Sequence, residues 1–101
     1  MEITRIYLDQ KEVLGTKAFV SGMEDVPATQ YSPAYRIFQL DSVKERSAFV
    51  ICDNPRNADS VKTTAQIEKT DGFSIVHRTF THAGKRYSEP VFLVDGLKVK
   101  K

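Results

Sequence analysis

The side chains of this sequence that could do chemistry are cationic and aromatic. Gly84, Lys85 and Arg86 lie in the turn between two strand-like runs, residues 73–82 and 87–94, and Tyr87 opens the second. Two extended runs joined by a short glycine-containing turn read as a β-hairpin. A basic tip beside an aromatic shoulder suits a polyanion. Lysine and arginine neutralise phosphates, and rings stack on bases at about 1–3 kcal/mol each. Tyr35 and Arg36 repeat the combination earlier in the chain. The plainer reading of each is structural: Lys85 and Arg86 are ordinary turn residues, and Tyr87 can cap a core with its hydroxyl in water.

Catalytic chemistry finds no such footing. His77 and His82 stand five apart on one strand-like run, so they point to opposite faces and cannot share a metal without a bulge. Cys52, the one cysteine, sits in the apolar run of residues 48–52 and reads as a small buried hydrophobe. One cysteine also excludes an intrachain disulfide and multi-cysteine zinc sites. No nucleophile-elbow pattern and no Gly-rich phosphate loop is present. Glu24, Asp25, Asp9 and Glu12 are carboxylates with no evident pairing. The expectation is a protein that is not an enzyme and uses no cofactor and no metal.

These side chains need a scaffold. The chain has 101 residues, 41% hydrophobic and 28% charged, which fits one globular domain with one core, residues 1–101. Short runs rich in aromatic and β-branched residues recur at 3–8, 17–23, 35–40, 47–53, 73–82 and 87–94. Turn-formers separate them, so an all-β sandwich or small barrel is expected. Residues 1–12 read as an N-terminal strand or arm. Asn57 to Ser60 offer N-cap types, which predicts one helical turn near 57–62. Residues 61–69 nevertheless alternate like a strand, and helix and strand both stay open there. Asp71-Gly72 predicts a tight hairpin turn onto Phe73. Pro90 marks an edge, a bulge or a strand's beginning. Residues 95–101 read as a basic tail that can add a strand pair.

Net charge is +2, unevenly spread. Residues 1–50 carry six Lys or Arg against seven Asp or Glu, and residues 51–101 carry nine against six. The asymmetry favours an anionic partner for the second half. No run approaches the roughly 18 apolar residues of a membrane helix. The first residues lack the apolar core of a signal peptide, so a cytoplasmic chain with no membrane partner is expected.

The order of segments resembles the OB-fold, a five-stranded, partly open barrel. The likeness covers residues 13–97, with strands at 15–24, 35–41, 46–53, 73–82 and 91–94 and a short helix near 57–62. Gly22 fits a strongly bent first strand. An OB-like barrel of five to six strands is the fold expected. An immunoglobulin-like sandwich becomes the better fit if 61–69 is a further strand. The resemblance implies a ligand lying across the second and third strands between two loop clamps. One clamp is then residues 25–34, with Tyr31. The other is residues 83–89, with Lys85, Arg86 and Tyr87. The floor draws on Tyr35, Arg36, Phe38, Arg46 and Phe49, with Arg78 a further cation, although Phe38 and Phe49 read more readily as core. The function this implies is non-catalytic binding of single-stranded DNA or RNA with low sequence specificity. The alternative is a protein-interaction or assembly module, paired with itself as a homodimer or with another protein, without nucleic-acid affinity.

Overall fold

The computed structural model describes residues 5–15, 17–30, 33–58 and 64–100. The protein is all-β, and each of the six expected runs contains a strand. In chain order the elements are β1 (Ile6–Tyr7), α1 (Gln10–Leu14), β2 (Ala18–Val26), β3 (Tyr35–Ser42), β4 (Ala48–Cys52), a 3₁₀ turn (Pro55–Asn57), β5 (Ala65–Asp71), β6 (Ser74–His82), β7 (Lys85–Val94) and β8 (Gly96–Val99).

One sheet holds all eight strands in the order β1–β6–β7–β4–β3–β2–β5–β8. Every pair is antiparallel except β4–β7, where Val50 faces Phe92 and Cys52 faces Val94. The sheet is not closed, and β1 and β8 are its edges. Its two ends are nevertheless joined through the chain. β5 runs into β6 through Gly72 and Phe73, and β7 runs into β8 through Asp95. These four strands form one long hairpin bent at a corner, with Ser74 opposite Leu93 on one side and Asp71 opposite Gly96 on the other. Beyond the corner, β7 joins β4 and β5 joins β2. Among the described residues there is one sheet, not the two of a sandwich.

The corner replaces the hairpin expected at Asp71-Gly72. Gly72 has φ +65°, and a Cβ there would collide with the Asp95 carboxylate. Arg5 ties the corner together: its Nε donates to Ser74 Oγ at 2.6 Å, its Nη2 to the Gly72 carbonyl at 2.7 Å, and its Nη1 pairs with Asp95 at 3.1 Å. Asp71 is thus drawn to β8, and its carbonyl accepts from Asp95 N–H at 2.7 Å. Residues 96–99, in the tail expected to be able to add a strand pair, are a strand paired with β5.

One further expectation shifts. The N-terminal arm contains a helix, α1, whose first turn is capped by the Asp9 carboxylate accepting from Lys11 N–H at 2.9 Å. Five residues are too few for helical periodicity to register in the sequence. A 3₁₀ turn lies at Pro55–Asn57, where proline supplies the first φ, and most of the span 57–62, where a helical turn was expected, is not among the described residues. Residues 59–63 lie outside the described residues, and the following strand starts at Ala65.

Alternation on β3 and β4 feeds two cores on opposite faces of the sheet. Phe38, Leu40, Val50 and Cys52 turn into one, with Leu14, Val20, Phe73, Val94 and Leu97. Tyr35, Ile37 and Ile51 turn into the other, with Val76, Phe80, Val91 and Leu93. That explains the unbroken apolar run of β4: a strand covered on both faces has no polar side to show.

Candidate nucleic-acid interface

The second core is closed by the β6–β7 hairpin, which folds across β3 and reaches β2. Tyr35 Oη accepts from Thr81 N–H at 3.0 Å. Glu24 Oε1 accepts from Ala83 N–H at 2.8 Å, and His82 Nδ1 lies 3.0 Å from the same oxygen. Phe49 packs on Phe80, His82 and Tyr87 with ring centroids 5.8, 4.8 and 5.5 Å away. Phe80 and Tyr87, opposite one another on the two strands, stack at 5.2 Å.

This covering corrects the floor implied by the OB-like layout. Tyr35 is 6% exposed and works as a bolt under the hairpin, not as a stacking platform. Arg36 binds Asp25 at 2.6 Å and donates to the Ala58 carbonyl at 2.8 Å. Arg78 binds Asp53 at 2.6 Å and lies 4.9 Å above the Tyr35 ring. Both guanidiniums serve the fold, because a half-buried cation needs its acid partner close. Phe38 is core, and Phe49 is half-buried against the hairpin. Tyr31 lies outside the described residues.

The remaining cations face water. Lys85 and Arg86 are exposed at the tip, and alternation sends them to opposite faces. Lys85 lies with Tyr87 on the inner face, its Nζ 5.5 Å from the ring centroid. Arg86 shares the outer face with Thr81. Tyr87 is half-buried. Arg46 is exposed in the β3–β4 turn. Lys85, Arg86 and Arg46 form no ion pair among the described residues.

One aromatic was missed. Phe19 is 38% exposed on the outside of β2, between inward Ala18 and Val20. The alternation of Phe19 with the apolar Ala18 and Val20 was the signal that the sequence offered. It lines a shallow depression of about 300 Å³ with Lys17, Asp41, Ser42, Val43 and Arg46.

His77 and His82 do lie on opposite faces of β6, His77 in water and His82 against Phe49. Cys52 is fully buried. Burial is the largest influence on its thiol and pushes the pKa up, and the thiol donates to the Asn54 carbonyl at 3.2 Å. That is the opposite of an activated thiolate. Among the described residues no helix is long and apolar enough to cross a membrane.

Compared with protein-family models, curated proteins and solved structures, the chain matches none.

Proposed function

We propose that this domain binds single-stranded nucleic acid without chemistry on it, using cations that the fold itself does not consume. The observation that carries the reading is how the cations divide. Arg5, Arg36 and Arg78 each hold an aspartate, while Lys85, Arg86 and Arg46 hold no acid among the described residues. The order of pairings supports the same reading. Taken as five arms, β2 pairs with β3 and with β5–β6, and β4 runs parallel to β7–β8. That connectivity resembles an OB-fold barrel. The second and third arms are occupied by this chain's own hairpin, so the ligand is read at the tip and beyond it, not beneath.

Fluorescence anisotropy with labelled oligo-dT at 50 and 200 mM salt tests the reading. Binding should weaken steeply with salt. Exchanging Lys85 and Arg86 for alanine should weaken it and flatten the slope by about 0.7 for each phosphate that is no longer neutralised. Affinity and slope unchanged in that variant would remove the tip from the site.

A second reading has its own observation. Edge strand β1 presents Ile6, 55% exposed, and Tyr7, 65% exposed. Apolar side chains on a sheet edge suit pairing with another chain. A protein that fails to bind oligo-dT and elutes as a dimer on sizing would favour this module over the first reading.

A further inference from the structure

We infer that the outer wall formed by β8, β5 and β2 is a second contact surface for the same single-stranded nucleic acid, with Phe19 as its stacking platform. The inference rests on the reading above and extends it to a face that the OB-like layout does not use.

The wall is built by alternation. Leu97 and Val99 turn towards the first core, so Lys98 projects outward from β8, and Lys100, just past its end, is exposed too. The Lys100 amide donates to the Gln66 carbonyl at 2.8 Å, Gln66 stands opposite Phe19, and Phe19 stands opposite Asp41. Lys100, Gln66, Phe19 and Asp41 therefore form one row across three strands and the residue that follows β8, about 15 Å long at ordinary strand spacing. Lys17 and Arg46 border Phe19 in the depression at the end of the row.

The second observation is a conflict. Lys69 on β5 stands directly opposite Lys98 on β8, both exposed. Like charges at opposed positions destabilise a strand pair. Neither lysine has an ion-pair partner among the described residues. A bound anion would relieve the repulsion, which makes the pair a place where ligand and protein are complementary in charge. The wall also carries acids: Glu68 and Asp71 are exposed on β5, and Asp41 already accepts from Ser47 N–H at 2.8 Å.

The wall and the hairpin tip share β2. The tip touches β2 at Glu24, and Phe19 lies five residues earlier, about 16 Å along an extended strand. A flexible single strand can follow that path, with phosphates on lysines at both ends and a base on Phe19.

The test compares four proteins by anisotropy with oligo-dT across a salt series: wild type, K85A/R86A, K69A/K98A/K100A and Phe19→Ala. The triple lysine variant should bind more weakly, with a log-log salt slope flatter by about 2, because each single-strand phosphate left without its lysine removes about 0.7. Phe19→Ala should lose about fivefold or more at every salt concentration with the slope unchanged, as a stacking interaction does. Phe19→Tyr should retain binding, and replacing the three lysines with arginine should restore the slope. Thermal melting checks the fold, and the triple variant should melt no lower than wild type, since it removes a repulsion. Wild-type binding lost in K85A/R86A but unchanged in both wall variants overturns the wall and leaves the tip standing. A wild-type protein that does not bind at all overturns both.

Discussion

Single positions at the corner of the long hairpin carry more of this fold than their size suggests. Gly72 and Gly84 both have positive φ, +65° and +78°. Any other residue pays about 1 kcal/mol there for the backbone alone. Their surroundings differ. A Cβ on Gly84 meets nothing within 4 Å, whereas one on Gly72 drives into the Asp95 carboxylate and lies 3.2 Å from Arg5 Nη2. Asp95 and Arg5 are themselves paired, and Arg5 also bonds Ser74, whose hydroxyl donates to the Leu93 carbonyl at 3.0 Å in the buried interior. Displacing Asp95 therefore disturbs a connected set of polar groups. Gly84→Ala should cost about 1 kcal/mol and Gly72→Ala about 2–4 kcal/mol in urea unfolding. Equal losses at the two sites would mean that Asp95 moves aside freely and that the corner is not held as described. Sequence spacing marked Gly72 as a turn residue. It could not reveal which strand Asp71 would face, because that depends on Asp95, 24 positions away.

At the scale of elements, the β6–β7 hairpin is the feature that the chain's local pattern showed half of. Its strands and basic tip were readable from residues 73–94. Its folding back over β3 was not, since Tyr35 and Thr81 meet only in three dimensions. The one hint lay elsewhere, in the unbroken apolar run of β4, which demands cover on both faces. Pro90 fits the same geometry. It stands opposite His77, at the parity of Thr81, whose N–H points away from β7 to reach Tyr35. Pro90's missing donor therefore faces β4, and β4–β7 pairing begins only at Phe92. The bolt is testable. Tyr35→Phe keeps the ring beneath Arg78 but leaves Thr81 N–H without its acceptor, a loss of about 1–2 kcal/mol for a half-buried group. Amide exchange should speed up at Thr81 and Ala83 while Ile37 and Val50 keep their protection. Uniform acceleration would show instead that the hairpin opens only with the whole domain.

At the scale of the whole molecule, the question is whether two cores make one cooperative unit. The all-β class and the strand positions followed from composition and period. The sharing of β3 and β4 by two apolar layers did not, because alternation alone cannot say that both faces are covered. The sharing has a thermodynamic consequence. Leu40 lies fully buried in one layer and Ile51 fully buried in the other, on adjacent strands of the same sheet. Neither layer can dissolve without exposing the backbone pairs that hold the other, and the bent hairpin crosses between them. Unfolding should therefore be a single transition, and Leu40→Ala and Ile51→Ala should each lower its midpoint, at about 2–5 kcal/mol apiece, without splitting it. The chain has no tryptophan, and two of its four tyrosines, Tyr35 and Tyr87, pack in the second core, so tyrosine fluorescence reports on that core. Far-ultraviolet circular dichroism reports on the whole sheet. Coincident curves from the two signals in both variants are the expected result. An early tyrosine transition in Ile51→Ala, with the sheet signal intact, would mean that the hairpin layer melts alone and that the aromatic face beneath it can be uncovered without unfolding the domain.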